Sequence, residues 1–294
     1  MSTPDPIGIL IQGELGSFSH EVAQSMLPDA RIIPCATAFN LFTEMYSYTN
    51  TLALIPIENS LAGSVAEFYE LLCDRAKECK IKILREHMHR IQHNLIARPG
   101  VAVGQIRRVL SHPIALAQCR NFFNGKPYLQ PVEHYDTAGS VKTIMQVGGD
   151  PACAAIASKQ AAELYGGQIL QVGIEDDPEN YTRFFLLHFD TFAGGYGQFT
   201  SRISPNETPD KMSLFFSLKN RPGALVEALS IFSKLEMNLT KIESRPIKGR
   251  PWEYMFYVDV LFPKSEAADE AMARLLPICE TMIDLGRYKA AVLG

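Results

Sequence analysis

The chain has 294 residues, of which 47% are hydrophobic and 20% charged, enough apolar material for the cores of two or three domains. The formal net charge of -4 and the lack of a long basic run argue against nucleic acid or an anionic membrane as the main partner. No run approaches the about 18 apolar residues of a membrane span, and the N-terminal residues do not resemble a signal peptide. We therefore expect a cytoplasmic protein with no membrane partner.

The six cysteines are scattered along the chain, and no two of them have CxxC spacing. Zinc ligands normally come in tight pairs, so this distribution is typical of reduced, mostly buried thiols and not of a metal site. We expect no metal and no cofactor. The cysteines are Cys35, Cys73, Cys79, Cys119, Cys153 and Cys279.

The first predicted strand, Ile7 to Ile11, leads into a glycine-bearing turn that contains Gly16 and Ser17. Apolar residues then recur at helical spacing, so a strand, a turn and a helix start follow one another. In this geometry free backbone N–H groups face a bound anion. The signal is weak alone, because many α/β proteins begin in this way.

A second buried strand is predicted from Leu52 to Ile57, and it runs directly into Glu58, Asn59 and Ser60. A helical face follows, so Asn59 or Ser60 is open to a simpler interpretation as an N-cap. That interpretation explains one residue but not a carboxylate, an amide and a hydroxyl together at the carboxyl end of a strand. In open α/β sheets this edge is where ligands bind.

Similar strand-to-helix joints recur in the middle of the chain, at Ser111-His112-Pro113 and at Asp136-Thr137. Strand-like crossings near residues 80–98 and 173–182 separate the two groups of strands and helices. This order predicts two α/β lobes around a cleft that offers many neutral donors and few cations. Such a cleft suits a small ligand that carries carboxylates.

An acidic turn from Glu175 to Pro178 precedes a strand-like run, Phe184 to Phe189. Asn180, Thr182 and Arg183 lie at the joint, and all three can hold an anion. From this segment alone, a loop with a capping threonine and a solvated arginine explains the pattern equally well.

The pattern changes after residues 191–210, which are rich in Gly, Pro and polar residues and are predicted to be a linker. The remaining chain has the order βαββαβ in about 80 residues, which is typical of a ferredoxin-like module.

With these motifs placed, the chain resembles the prephenate dehydratase family over residues 7 to about 290. The resemblance is carried by Ile57-Glu58-Asn59-Ser60, Ser111-His112-Pro113, Asp136-Thr137-Ala138 and Thr182-Arg183-Phe184. The C-terminal region resembles an ACT domain through Gly223-Ala224-Leu225-Val226 and Glu243-Ser244-Arg245-Pro246. No helical extension precedes Ile7, so we expect the monofunctional form, not one fused to a chorismate mutase. The sequence departs from the common family pattern at Ile114 and Gln12. These differences bear on the details of substrate contact and not on the expected reaction.

The resemblance implies an α/β fold with a two-lobed catalytic region, similar to periplasmic binding proteins, followed by the ferredoxin-like ACT domain. We expect a dehydratase domain at 1–190, with lobe one at about 1–80 and 178–190 and lobe two at about 81–177. The linker at 191–210 then leads to the ACT domain at 211–294.

The implied activity is that of a carbon-oxygen lyase, which converts prephenate to phenylpyruvate on the route to phenylalanine. Arogenate dehydratase is the nearest alternative, and a non-catalytic amino-acid sensor is a more distant one. L-phenylalanine is the expected effector, and the ACT domain is expected to form a homodimer or homotetramer. The sign of regulation is left open.

The residue roles follow the family motifs. We expect Thr182 to be the principal catalytic residue and Glu58 a partner acid or, with better support, an ionised orienting group. The expected substrate-binding residues are Gly16, Ser17, Asn59, Ser60, Thr137, Arg183 and Phe184. The expected effector-binding residues are Gly223, Ala224, Leu225, Val226, Glu243, Ser244, Arg245 and Pro246.

Overall fold

The computed structural model describes residues 6–48, 50–190, 199, 203 and 207–292. The chain divides into two units, one made of Met1–Val65 with Met88–Phe184 and the other of Ala66–His87 with Phe185–Gly294. None of the helices in the described part of the chain is both long and apolar enough to cross a membrane. Most of the predicted linker lies outside the described residues, and the predicted domain boundaries stay a prediction.

The first sheet has the strand order β2-β1-β3-β11-β5, with the short β4 paired to β3. β1 pairs in parallel with both β2 and β3, with Gly8 opposite both Arg31 and Thr51. Two helices, α1 (Phe18–Met26) and α2 (Ala38–Glu44), follow β1 and β2. The strands are β1 (Gly8–Gln12), β2 (Arg31–Cys35), β3 (Thr51–Asn59), β4 (Gly63–Ser64), β5 (Lys80–Arg90) and β11 (Tyr181–Asp190).

The second sheet, which lies within the first unit, has the order β10-β6-β9-β7-β8. β7 is parallel to β8 and β9, whereas β6 is antiparallel to β9 and β10. The strands are β6 (Asn94–Ala97), β7 (Arg108–Ser111), β8 (Gln130–Glu133), β9 (Cys153–Ala157) and β10 (Gln168–Gln171). The helices are α4 (Pro113–Ala117), α5 (Arg120–Phe123), α6 (Thr137–Ile144) and α7 (Lys159–Tyr165). The strand-like stretch predicted at residues 80–98 is two strands, because β5 ends at Arg90 and β6 begins at Asn94.

The third sheet confirms the predicted βαββαβ order, with the strands arranged β13-β14-β12-β15 and all pairs antiparallel. Leu214, Phe216 and Val258 pack with apolar residues of α8 and α9 in one core. The strands are β12 (Lys211–Leu218), β13 (Asn238–Pro246), β14 (Tyr254–Leu261) and β15 (Cys279–Tyr288). The helices are α8 (Ala224–Lys234) and α9 (Ser265–Leu275).

The opposite face of the third sheet holds buried polar groups. The hydroxyls of Ser213 and Tyr257 both donate to Asp259 Oδ1, and all three residues are fully buried. The ring of Tyr69, from α3 (Ala66–Glu78), packs edge-on against Tyr257 at 4.9 Å. This face is therefore covered by α3 and is chemically unlike the apolar face that carries α8 and α9.

Candidate functional site

Thr182 lies near the start of β11, and 9% of it is exposed. Reciprocal hydrogen bonds with Ser60 hold the chain just before it: Ser60 N donates to Tyr181 O at 2.8 Å, and Tyr181 N donates to Ser60 Oγ at 2.9 Å. The Ser60 hydroxyl donates in turn to Glu179 O at 3.0 Å. The segment that leads into Thr182 is thus fixed to the end of β3.

Asn59, the last residue of β3, has its side chain fixed by backbone groups. Its Oδ1 accepts from Leu61 N at 3.0 Å and from Ala62 N at 2.8 Å. Because these backbone donors cannot turn, Nδ2 must point the other way, where it lies 3.0 Å from Thr182 Oγ1. Asn59 therefore donates a hydrogen bond to the predicted catalytic hydroxyl.

Asn59 Nδ2 also lies 3.2 Å from Tyr181 O, and two further side-chain amides lie close to Asn59. Asn180, which is fully buried, accepts from Asn59 Nδ2 at 2.7 Å and donates through its own Nδ2 to Gln118 Oε1 at 3.0 Å. Gln118 follows α4, and its Nε2 lies 3.4 Å from Asn59 Oδ1. The network joins the end of β3 in the first sheet to Gln118, which follows α4. Of the predicted strand-to-helix joints, it contains only the one at residues 58–60.

Glu58 and Arg183, one predicted to be catalytic and the other to bind substrate, form an ion pair with each other. Arg183 Nη1 lies 3.5 Å from Glu58 Oε2, and the side chain of Arg183 is 5% exposed against 29% for Glu58. Phe184 is 2% exposed and belongs to the core. The carboxylate is the more accessible end of the pair.

In the glycine turn, the groups that were predicted to face an anion form hydrogen bonds within the chain. Gly16 N donates to His20 Nδ1 at 2.8 Å, and Ser17 Oγ accepts from His20 N at 3.3 Å as the N-cap of α1. Gly16 has a φ of 87°, and a Cβ there would lie 2.9 Å from Ala161 Cα. The close approach of α7 thus explains why a glycine occupies position 16. Ser17 has a structural role of its own, because it caps α1.

Thr137 is the first residue of α6, and the preceding Asp136 is the N-cap, accepting from Gly139 N at 2.7 Å. Burial raises the pKa of Asp136. The helix N-terminus predicted here is present, and it already has a carboxyl group as its partner.

A second charged cluster connects the glycine turn to α6. Glu14 accepts from Tyr135 Oη at 2.8 Å and pairs with Lys142 Nζ at 2.9 Å. The Lys142 hydrogen bond holds the pKa of Glu14 below its ordinary value, whereas burial, with Glu14 beside the hydroxyl, raises the pKa of Tyr135 to about 12. No group of three or more possible metal ligands occurs among the described residues.

The predicted effector residues divide between two faces of the third sheet. Gly223 is the N-cap of α8 with a φ of 80°, Ala224 is buried, and Val226 is 68% exposed. On β13, Ser244 lies opposite Phe256, whereas Glu243 lies opposite Tyr257. Since paired residues share a face, Ser244 lies on the face of α8.

Glu243 and Arg245 lie on the other face, beside α3. Arg245 Nη2 donates to Glu243 Oε1 at 2.7 Å, and its guanidinium lies 6.0 Å from the ring of Tyr69. Pro246, opposite Tyr254, ends β13, and Leu225 packs against the apolar core. The eight residues therefore do not form one continuous patch within a single chain.

Sequence reasoning missed Gln118 and did not consider His93, whose Nε2 lies 3.0 Å from Gln118 Oε1. Neither residue ends a strand nor begins a helix, so the joint pattern gave no signal for them. Asn180 was noted only as a group able to hold an anion.

The family model described as prephenate dehydratase matches residues 9–191, and the ACT domain model matches residues 212–271. The Arabidopsis thaliana protein named arogenate dehydratase/prephenate dehydratase 2, chloroplastic, is 34% identical over 98% of this chain and 74% of its own length. The structure of prephenate dehydratase from Arthrobacter aurescens in complex with L-Phe has a TM-score of 0.82 and 29% identity, covering 97% of this chain and 90% of that one. A structure named GqqA, a novel type of quorum quenching acylase, has a TM-score of 0.80 and 30% identity, covering 96% and 98%.

The matched range contains every residue of the network around Thr182, and the second match covers most of the third sheet with α8. The chain belongs to the prephenate dehydratase family, a family of lyases, and carries a C-terminal ACT domain.

Proposed function

We propose that the protein converts prephenate to phenylpyruvate, with loss of carbon dioxide and water. The observation that carries this proposal is the hydrogen bond from Asn59 Nδ2 to Thr182 Oγ1, 3.0 Å long. Because the threonine oxygen accepts this bond, its own hydrogen is directed elsewhere and can be donated to a departing oxygen of the substrate.

The chemistry requires such a donor. The electrons of the bond to the ring carboxylate move into the ring as carbon dioxide leaves, and the hydroxyl departs from the opposite carbon as the ring becomes aromatic. Departure of hydroxide is the difficult part. Thr182 is too weak an acid to transfer its proton outright, so it acts as a positioned hydrogen-bond donor to the departing hydroxide, worth about 10²–10³ in rate. The hydroxide then takes a proton from solvent to become water.

Glu58 and Arg183 are proposed to act as a pair. The buried guanidinium orients the carboxylate of Glu58, the residue before Asn59 in β3. In this role Glu58 orients neighbouring groups and does not supply the proton. Gly16, Ser17, Ser60 and Thr137 stay the proposed carboxylate-binding residues. For the first three, substrate would have to share or displace hydrogen bonds made within the chain.

Arogenate is the second candidate substrate. It is favoured by the Petunia hybrida relative named arogenate dehydratase 2, at 35% identity, and the Arabidopsis thaliana relative at 34% identity is named for both activities. It differs from prephenate in carrying an amine in place of the side-chain ketone. Steady-state assays of the full chain with both compounds separate the two: the proposal expects a higher kcat/KM for prephenate. A higher kcat/KM for arogenate would transfer the assignment, and no turnover of either would favour a sensor. Acylase activity is measured beside them as a comparison reaction.

We further propose that L-phenylalanine binds the ACT domain and regulates the enzyme. The support is the match over residues 212–271 and the L-Phe complex of the Arthrobacter aurescens relative. An effector site divided between α8 and β13 of different subunits would explain why the predicted residues do not meet in one chain. We propose that the protein is cytoplasmic and forms a homodimer or homotetramer. Sedimentation with and without phenylalanine tests the oligomeric state.

A further inference from the structure

The amides around Thr182 form a chain in which each hydrogen bond has one possible direction. The direction is set at Asn59, because Leu61 N and Ala62 N are fixed donors to its Oδ1. Asn59 Nδ2 is therefore the donor to Asn180 Oδ1, at 2.7 Å. This in turn leaves Asn180 Nδ2 as the donor to Gln118 Oε1, at 3.0 Å.

Gln118 Oε1 is thus an acceptor, which decides the state of the group on its other side. His93 Nε2 lies 3.0 Å from this oxygen, so a hydrogen bond forms only if Nε2 carries the hydrogen. His93 is 2% exposed, and burial lowers its pKa, so the ring is neutral near pH 7 and its single hydrogen must occupy one nitrogen.

The surroundings of the second ring nitrogen, Nδ1, support the assignment of the hydrogen to Nε2. His93 Nδ1 is buried and has no hydrogen-bond partner among the described residues. A hydrogen on Nδ1 would therefore be a buried donor without an acceptor, while the lone pair of Nε2 would face the lone pairs of Gln118 Oε1. The ring is held in place by Phe18, edge-on at 5.6 Å, and by the bond from His93 N to Glu175 Oε2, 2.9 Å long.

We propose that His93, in its Nε2–H form, is a positioning residue for the reaction. It touches neither Thr182 nor a reacting atom. It fixes the amide of Gln118, and Gln118 with Asn180 fixes Asn59, so that the hydrogen of Thr182 stays available to the substrate. This inference rests on the proposed function for its kinetic part only.

The chain offers a matched pair of substitutions for the kinetic test. In His93→Gln the amide nitrogen reaches the place of Nε2 and can still donate to Gln118. In His93→Asn the shorter amide reaches only the place of Nδ1, so Gln118 Oε1 loses a donor although the side chain remains polar. We expect His93→Gln to keep kcat within about threefold of the unmodified enzyme, and His93→Asn to lower it by about 10²-fold. KM should change by less than about threefold in both variants, since binding groups are untouched.

The protonation state is tested separately by two-bond ¹H–¹⁵N spectra of the full chain with labelled histidine. The signal of His93 is assigned by its loss in His93→Gln. We expect a protonated Nε2 and an unprotonated Nδ1 at neutral pH.

An Nδ1–H form, a charged ring, or equal kcat in the two variants would overturn the proposal. If one variant fails to fold, as melting curves would show, the other variant supplies the assignment, and the spectra of the unmodified protein still decide the protonation state. If the proposed function is wrong, the unmodified protein will turn over neither substrate. The histidine spectra would not be affected by that outcome.

Discussion

Asn59 Nδ2 lies 3.0 Å from Thr182 Oγ1, although 123 positions separate the two residues in the chain. The end of β3 and the start of β11 bring them together, and the backbone amides after Asn59 fix which atom of its side chain faces the threonine. The threonine hydroxyl is thereby an acceptor toward the protein and a donor toward the substrate.

Asn59→Asp tests this direction. The introduced carboxylate keeps the acceptor for Leu61 N and Ala62 N but has no hydrogen to donate, so the Thr182 hydroxyl would turn toward it. We expect kcat with the preferred substrate to fall by about 10²-fold or more. The exposed Asn124→Asp makes the same chemical change at a residue whose side chain bonds Asn121 and not the network, and it should leave kcat unaltered. Equal rates for the two variants would contradict the assigned role.

The cluster of Glu14, Tyr135 and Lys142 predicts a dependence of stability on pH. Because the folded-state pKa of Glu14 is depressed, its contribution to stability is fully present above the ordinary carboxyl pKa and is lost as pH falls through the folded value. Glu14→Gln should therefore lower the melting temperature by a few degrees at pH 7, and this difference should shrink below about pH 4. The difference is read from melting curves of both proteins across that range. If the difference in melting temperature between the two proteins stays constant or widens in acid, the ionised Glu14 carboxylate does not stabilise the fold.

The buried ion pair of the second unit predicts a large loss of stability. Lys211 Nζ lies 2.8 Å from Glu86 Oε1, and both residues are nearly fully buried. Lys211→Met would remove this cation from beside a buried carboxylate, so we expect the free energy of unfolding to fall by about 3–5 kcal/mol in urea titrations. Adding Glu86→Leu should recover most of this loss.

Lys248→Met is the control for that experiment, since Lys248 forms an exposed pair with Asp74 at 2.9 Å. Exposed pairs contribute about 1 kcal/mol or less, so this variant should stay close to the unmodified protein. If Lys211→Met costs no more than the control, the buried pair does not stabilise the unit.

The N-terminus of α8 predicts how the effector response changes. Gly223 has a left-handed backbone, which costs a residue with a side chain about 1–2 kcal/mol. Gly223→Ala should therefore raise the phenylalanine concentration for half-maximal effect by about fivefold or more in rate assays, while the rate without effector stays the same. Gly148 also has a left-handed backbone and open space around it, so Gly148→Ala is a matched control. An identical response in both variants would remove Gly223 from the effector site.

Much of the fold follows from hydrophobic patterning. The βαββαβ order of the C-terminal region and the strand ends that carry Asn59 and Thr182 are all visible in short-range periodicity. The polar residues that directly follow a buried strand could be placed at a sheet edge for the same reason.

The rest of the site depends on long-range contacts that patterning does not contain. Gln118 sits at the end of a helix and reaches Asn59 across 59 positions, and His93 lies between two strands. The faces of β13 were also not predictable, because a bulge between Leu239 and Lys241 shifts the alternation that would otherwise assign Glu243 and Arg245. At the glycine turn, His20 takes the Gly16 amide that the strand-turn-helix pattern had assigned to a ligand.

The most direct test of the account is kcat for Thr182→Val compared with Thr182→Ser, with whichever substrate the unmodified protein prefers. Valine has nearly the shape of threonine but no hydroxyl, whereas serine keeps the donor. We expect Thr182→Val to lower kcat by about 10²–10³-fold, while Thr182→Ser should stay within about tenfold of the unmodified protein. A Thr182→Val enzyme that keeps the kcat of the unmodified protein would contradict it.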